Sequence, residues 1–251
     1  MSILRLAMAQ INTTVGDLDG NTAKMISWTQ SARDAGVDVI VFPEMSITGY
    51  PPEDLLFQHS FVSENIDKMR QVVAHSNGIT VVFGFVDQEY DLYNAAAVAS
   101  DGELVGIYHK VYLPNYGVFD EERYFRAGDK CQVYVVNGMH FGVNICEDIW
   151  YQNGPTVAQK QSGAQIIFYI NASPYYSGKL RIRQDMISKR ASDNNLYISY
   201  TNLIGGQDEL VFDGASMIVS PWGEIMANGK QFEEDLVVVD VDLDAVCDKP
   251  I

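Results

Sequence analysis

Apolar residues recur along the first third of the chain in patterns that predict alternating strands and helices. Residues 4–11 alternate in the manner of a strand. Residues 37–42 and 79–86 are continuous apolar runs, which are typical of strands covered on both faces. A helical spacing of apolar positions follows Asn21, which we expect to cap that helix. Residues 61–75 have the same spacing, so this part of the chain reads strand, helix, strand, helix, strand.

The middle of the chain adds hairpins to this alternation. Two predicted strands within residues 93–110 turn at Asp101-Gly102. Two more, within residues 132–145, turn at Asn137-Gly138, a dipeptide that strongly favours hairpin turns. The hairpins argue against a purely parallel, doubly wound sheet.

The last third of the chain returns to alternating elements. We predict helices at residues 155–162 and 180–194, with strands at 165–170 and 197–201. Two late strands, 211–219 and 236–241, bracket a turn at residues 221–223 and are expected to form a hairpin-like pair. The pattern as a whole indicates one α/β domain over residues 1–251 with a mixed, layered sheet architecture.

Three polar residues, Glu44, Lys110 and Cys146, stand at the ends of predicted strands, where open α/β folds gather reactive groups. A thiol at a strand-to-helix turn projects outward, and N–H groups of the following turn can stabilise a developing oxyanion. Cys146 is therefore a candidate nucleophile. The alternative is a buried cysteine that behaves as a small apolar residue, which is our interpretation of Cys131 and Cys247.

The other two residues are weaker candidates when each is taken alone. Glu44 follows a strand rich in Val, Ile and Phe, surroundings that suit a carboxylate to general base catalysis. The alternative is a helix-capping or solvated acid in a loop. Lys110 ends an apolar strand, where an ammonium could polarise a carbonyl oxygen. A lysine in such a position more commonly faces solvent.

Composition and charge exclude several classes of partner. The chain carries 33 acidic and 17 basic residues, a formal charge of −16, which opposes binding to nucleic acid or to anionic membrane surfaces. We identify no signal peptide and no apolar run of the ~20 residues that cross a bilayer. Three widely spaced cysteines suggest no disulfide framework, so we expect a soluble protein of the reducing cytoplasm.

Other catalytic signatures are missing from the sequence. The four histidines show no metal-ligand spacing, so we predict no metal. No G-x-S-x-G elbow, Walker loop or G-x-G-x-x-G turn occurs, which removes the serine hydrolase, P-loop and dinucleotide-fingerprint hypotheses.

Taken together, Glu44, Lys110 and Cys146 in this order resemble the nitrilase, or carbon–nitrogen hydrolase, superfamily. The resemblance spans nearly the whole chain, and its most specific parts are an amino-terminal strand at residues 6–10, the Phe42-Pro43-Glu44 motif, the Lys110 motif and the segment 142–148. Within the superfamily, residues 50–56 and 113–125 are similar to the glutaminase domain of glutamine-dependent NAD synthetase. The family fold is a four-layer α-β-β-α sandwich with mixed sheets, and its members form oligomers.

The resemblance assigns roles by position. It implies that Cys146 is the nucleophile, Glu44 the general base and Lys110 the cation that stabilises the oxyanion. The second glutamate of the superfamily aligns with Glu121, or with Glu122 if the alignment shifts by one residue. The positions that align with the glutamine pocket are Tyr50, Tyr116, Glu147, Trp150, Ser173 and Lys179. For the tyrosines and Trp150, core packing is the alternative.

The implied reaction is hydrolysis of the glutamine side-chain amide, with the ammonia passing to a synthetase domain or subunit. The chain lacks the S-G-G-x-D-S loop of that domain, so it is either an excised domain or a free-standing relative. ATP and the nicotinic acid dinucleotide would belong to the synthetase domain, and the hydrolase domain itself needs no cofactor. The alternatives are an ω-amidase, an aliphatic amidase or a nitrilase of the same superfamily, or a non-catalytic interaction module.

Overall fold

The computed structural model describes residues 3–246, in which two six-stranded sheets face each other and each carries helices on its outer side. In chain order the strands are β1 (Ile3–Gln10), β2 (Val39–Val41), β3 (Thr80–Gln88), β4 (Leu92–Ser100), β5 (Glu103–His109), β6 (Val133–Val136), β7 (Met139–Ile145), β8 (Ile166–Asn171), β9 (Tyr197–Asn202), β10 (Ile204–Gln207), β11 (Leu210–Asp213), β12 (Met217–Val219), β13 (Ile225–Asn228) and β14 (Asp235–Asp242). The α-helices are α1 (Leu18–Asp34), α2 (His59–Ala74), α3 (Pro155–Gln161) and α4 (Lys179–Asn194).

Both sheets are mixed, as the hairpins in the sequence predicted. The first has the order β14-β1-β2-β3-β4-β5, and the second has the order β13-β12-β9-β8-β7-β6. The central pairs are parallel: β1 with β2, β2 with β3, β7 with β8, and β8 with β9. The pairs nearer the edges are antiparallel. Strands β10 and β11 form a separate ribbon.

The alternation of side chains along each strand divides the interior into layers. In β1, Leu6 and Met8 face the second sheet, whereas Ala7 and Ala9 face α1 and α2. A third cluster, which includes Ile187 of α4, covers the outer face of the second sheet. The order of layers is therefore helix, sheet, sheet, helix, and the four-layer α-β-β-α sandwich is confirmed.

Two local predictions were wrong. Asn21 does not cap α1: Asp17 does, by accepting a hydrogen bond from the Gly20 backbone N–H, 2.9 Å. The Asn21 side chain is instead buried in the first turn, where its amide donates to the carbonyls of Thr14 and Ile47. The helix therefore begins one turn earlier than predicted.

The predicted pairing of the late strands, 211–219 with 236–241, was also wrong. Residues 211–219 are interrupted at Gly214 and Ala215, both with positive φ, so that β11 and β12 belong to different sheets. The turn at residues 221–223 joins β12 to β13, and β14 crosses to the first sheet, where it pairs with β1. Consecutive strands are usually neighbours in a sheet, which is why the pattern favoured a hairpin, whereas β14 pairs with the first strand of the chain.

The carboxyl ends of four strands converge on one edge of the sandwich. Strand β5 runs in the same direction as β2 and β3, because two antiparallel pairings, β3 with β4 and β4 with β5, separate it from β3. Glu44, Lys110, Cys146 and Ala172 follow β2, β5, β7 and β8 respectively. The topology thus collects residues that lie up to 128 positions apart in sequence.

Candidate active site

Glu44 lies at the centre of this edge and is completely buried. Its Oε1 accepts hydrogen bonds from Lys110 Nζ, 2.8 Å, and Asn94 Nδ2, 2.7 Å. Its Oε2 accepts a hydrogen bond from the Ala172 backbone N–H, 2.8 Å. Both oxygens are therefore held in fixed positions by donors from three different strand ends, and the solvated-acid alternative is wrong.

Lys110 is also buried and links two carboxylates. Besides Glu44, its ammonium contacts Glu121 Oε1, 2.8 Å, and Oε2, 2.9 Å. Glu121 further accepts hydrogen bonds from the Tyr50 hydroxyl, 2.9 Å, and Asn94 Nδ2, 3.3 Å. Glu122 instead contacts exposed Asn115, so Glu121 is the glutamate that the fold brings to the lysine.

The electrostatics of this cluster keep the lysine charged. Burial lowers the pKa of an ammonium, but the carboxylates of Glu121 and Glu44 outweigh it and raise the pKa of Lys110 well above its usual value. Burial also raises the pKa of Glu121, with Lys110 acting in the opposite direction. One buried cation thus lies between two buried carboxylates.

Cys146 occupies a sharp turn directly after β7. Its φ of 41° lies in the left-handed region, which is uncommon for residues other than glycine and marks local strain. The following residues form a short 3-10 helix, Cys146–Trp150, whose first N–H groups are available to an oxyanion. The thiol is buried, and the charges of both Glu44 and Lys110 act on it.

The same surroundings keep the thiol protonated. Burial and the nearby Glu44 raise the pKa of Cys146 well above its ordinary value, although Lys110 lowers it. Because the thiolate is the reactive form of a cysteine, Cys146 would need a base to remove its proton if it acted as a nucleophile. Of the carboxylates that act on the thiol, Glu44 has the largest effect on its pKa. The interpretation of Cys146 as an inert apolar residue does not explain these neighbours.

Two of the predicted pocket residues form a contact at the mouth of the site. Tyr116 is mostly exposed and donates its hydroxyl to Glu147 Oε2, 2.9 Å. Glu147 itself is buried next to Cys146, and burial raises its pKa. Tyr116 is therefore not a core residue. Tyr50 is buried, but its hydroxyl reaches Glu121 and so belongs to the site.

The remaining predicted pocket residues are Trp150, Ser173 and Lys179. The Lys179 ammonium sits 4.6 Å from the centre of the Trp150 ring. Ser173 is buried immediately after Ala172, the backbone donor to Glu44, and its own N–H donates to Asn202 Oδ1, 2.9 Å. Lys179 is also close enough to Glu147, the residue after Cys146, to oppose the rise in the pKa of that carboxyl.

Sequence reasoning missed Asn94 and Asp148. Asn94 lies near the start of β4, whose sequence shows no pattern of reactive residues, and only the tertiary structure shows its amide donating to both Glu44 and Glu121. Asp148 is completely buried, and burial raises its pKa to about 6, although hydrogen bonds from its neighbours oppose this. An acid two residues after the candidate nucleophile was the available signal for Asp148.

One group of possible metal ligands lies outside this cluster. Among residues 3–246, ligand atoms of Asp87, Glu89 and His109 lie within 4.8 Å of one another. His109 Nε2 is already hydrogen-bonded to Asp87 Oδ2, 2.8 Å, and its ring stacks on Tyr93. None of the three contacts the thiol cluster through a hydrogen bond found in the described residues.

A thiol, a carboxylate and a buried ammonium at the carboxyl edge of a four-layer sandwich define the carbon–nitrogen hydrolase class. The family model for carbon-nitrogen hydrolases matches residues 5–248, and the chain belongs to this family. In the described part of the chain, no helix has the length and apolar character needed to cross a membrane.

Within this family, the chain is similar to glutamine-dependent NAD synthetases and to an amidase. The chain is 47% identical to a glutamine-dependent NAD(+) synthetase of Thermotoga maritima, over 97% of this chain and 43% of the relative. A solved glutamine-dependent NAD+ synthetase of Acinetobacter baumannii, in complex with ADP, superposes with a TM-score of 0.91 at 40% identity, covering 98% of this chain and 47% of that one. A nitrilase-superfamily amidase of Nesterenkonia AN1 gives a TM-score of 0.86 at 25% identity, covering 98% and 94%. The chain thus spans less than half of the synthetases and nearly all of the amidase.

Proposed function

We propose that this chain hydrolyses the side-chain amide of glutamine to glutamate and ammonia through a Cys146 thioester. The observation that carries the proposal is the contact of Glu44 with Lys110, both of which act electrostatically on a buried thiol. The similarity to glutamine-dependent NAD synthetases favours glutamine as the substrate and NAD synthesis as the use of the ammonia.

In the first half of the reaction, Glu44 takes the Cys146 proton as the sulfur attacks the carboxamide carbon. The oxyanion of the tetrahedral adduct is stabilised by Lys110 and the Glu147 backbone N–H, and Glu121 holds Lys110 in place. Glu44 then protonates the departing nitrogen, so that the C–N bond breaks and ammonia leaves. A γ-glutamyl thioester remains on Cys146.

In the second half, Glu44 removes a proton from water as the water attacks the thioester. The C–S bond breaks, glutamate leaves and the proton returns to the sulfur. At the amino-acid end of the substrate, Glu147 would bind the α-ammonium and Lys179 the α-carboxylate. The aromatic rings of Tyr116 and Trp150 would line the space between them.

The wider setting is part of the same proposal. The ammonia would pass to a synthetase domain or subunit, which would hold ATP and the nicotinic acid dinucleotide. The hydrolase domain would act without a cofactor, in the cytoplasm, and as part of a homo-oligomer. Comparing glutamine turnover of this chain with and without a synthetase partner tests whether the partner organises the pocket.

The direct test is the Cys146→Ala variant. We expect ammonia release from glutamine to fall at least about 10³-fold while the far-UV circular dichroism and the melting temperature stay close to the parent. Cys131→Ala, which removes a half-buried thiol that makes no hydrogen bond to the cluster, is the control and should remain active. Glutamine turnover that persists in Cys146→Ala would refute the nucleophile assignment.

The amidase likeness gives a second candidate, since that protein is matched over 94% of its length. An ω-amidase, aliphatic amidase or nitrilase would use the same three residues on a smaller substrate. A panel of glutamine, short aliphatic amides and nitriles separates the candidates. Glutamine hydrolysis without competition from short amides supports the glutaminase, whereas preferential turnover of a short amide or nitrile would support the alternative.

A further inference from the structure

A single carboxylate spans the two sheets beneath the catalytic cluster. Asp148 Oδ2 accepts hydrogen bonds from the Ile145 backbone N–H, 2.9 Å, and the Tyr108 hydroxyl, 2.8 Å. Its Oδ1 accepts hydrogen bonds from the backbone N–H groups of Val111, 3.2 Å, and Tyr112, 3.0 Å. All four acceptor positions of a carboxylate are occupied in this way.

These four donors bracket two catalytic residues. Ile145 immediately precedes Cys146 in the second sheet, whereas Tyr108 and Val111 lie on either side of Lys110 at the end of a strand in the first sheet. Asp148 itself lies in the short helix that begins at Cys146. One buried side chain therefore connects the turn that carries the sulfur to the segment that carries the ammonium.

We propose that Asp148 is a positioning residue that sets the separation between Cys146 and Lys110 for attack on the amide. It contacts neither the reacting atoms nor the substrate and acts through the backbone on either side of the two catalytic residues. The proposal rests on the proposed hydrolase function. A misplacement of about 1 Å between reacting groups can lower the rate about 10²-fold. Asp148 would therefore have to hold the two segments in place to better than this distance.

Asp148→Asn is the informative change because it keeps the volume and removes one acceptor. The amide can keep its carbonyl toward Val111 and Tyr112, but its NH₂ group then faces the Ile145 N–H, which loses its acceptor. We expect kcat for glutamine to fall about 10²-fold with KM changed less than about threefold. The alkylation rate of Cys146 by iodoacetamide, located by peptide mass spectrometry, should fall at least about tenfold.

Two further variants separate positioning from general stability. Tyr108→Phe removes one donor and leaves the three backbone contacts, so kcat should fall about three- to tenfold with little change in melting temperature. Asp38→Asn is the matched control. Asp38 is exposed, and its Oδ2 accepts a hydrogen bond from the Arg5 backbone N–H, 2.8 Å. It lies just before β2, at the opposite end of that strand from Glu44. Its kcat should equal that of the parent.

Rates are expressed per Cys146 titrated with a glutamine-analogue alkylator, so that loss of folded protein does not count as loss of kcat. A per-site kcat and an alkylation rate within twofold of the parent in Asp148→Asn would overturn the proposal. If Asp148→Asn does not fold, a kcat for Tyr108→Phe within twofold of the parent would also overturn the proposal. If the parent does not hydrolyse glutamine, the proposed function fails, and the iodoacetamide rates alone decide the role of Asp148.

Discussion

At the scale of single residues, the chemistry depends on burying charges that would otherwise face solvent. Lys110 and Glu44 have almost no accessible surface, and burying an isolated charge costs several kcal/mol. The structure offsets this cost by placing the ammonium between Glu44 and Glu121 at hydrogen-bond distance. Removing one member would leave the others uncompensated, so we expect changes in this cluster to affect stability as well as activity.

Glu44→Gln tests the general base. The amide cannot take the Cys146 proton, and its NH₂ group must face one of the donors that now contact Glu44, either Ala172 N–H or the pair of Lys110 and Asn94. Because general base catalysis contributes about 10²–10⁴-fold, we expect glutamine turnover to fall by at least 10²-fold. The measurement is steady-state ammonia release.

The control for this experiment is Glu103→Gln, which makes the same change at an exposed position at the start of β5. It should leave turnover unaltered. A Glu44→Gln rate within about tenfold of the parent would count against the base assignment.

At the scale of elements, the loop after β2 is shaped by a glycine on its neighbour β3. A Cβ added at Gly84 would lie 2.2 Å from Met45 N and 2.7 Å from the Glu44 carbonyl carbon, and both are backbone atoms that cannot rotate away. The close approach also allows the Ile47 N–H to donate to the Gly84 carbonyl, 3.3 Å. A residue without a side chain is therefore needed where β3 packs against the backbone of Glu44 and Met45.

Gly84→Ala should consequently impair catalysis from outside the cluster. The methyl group would push the Glu44 backbone out of position, for which we expect about a 10²-fold loss of glutamine turnover and a loss of about 1–3 kcal/mol in the free energy of unfolding. Turnover and urea denaturation measure the two effects. Gly206→Ala, at an exposed position of β10 where the nearest atom to the new Cβ is 3.3 Å away, is the control. Unchanged turnover in Gly84→Ala would show that the loop tolerates the displacement.

At the scale of the whole molecule, the formal charge of −16 should make stability depend on salt. Net repulsion among surface carboxylates destabilises the compact state, and its range falls from about 30 Å at 0.01 M ionic strength to about 8 Å at 0.15 M. We expect the melting temperature to rise by a few degrees over this range in sodium chloride. The same osmolarity supplied as an uncharged solute is the control. A melting temperature that stays constant or falls with salt would contradict the expectation.

Many of the elements could be predicted from the sequence because they follow from local periodicity. Strands such as β3 and β8 and helices such as α2 and α4 came within a few residues of their predicted bounds. The late strands could not be paired correctly, because the apolar pattern of β14 predicts a strand without specifying its neighbour. In the structure β14 pairs with β1, the first strand of the chain.

Some features of the candidate site were also predictable from the sequence, whereas others depended on the tertiary structure. The sequence by itself determined which residues stand at strand ends, and the motif resemblance nominated Glu44, Lys110 and Cys146 among them. Only the tertiary structure decided that Glu121 rather than Glu122 reaches the lysine, and that Asn94 and Asp148 complete the cluster. The physical reason is that strand ends are set by local patterning, whereas hydrogen bonds between distant strands depend on sheet order and direction, which no local pattern encodes.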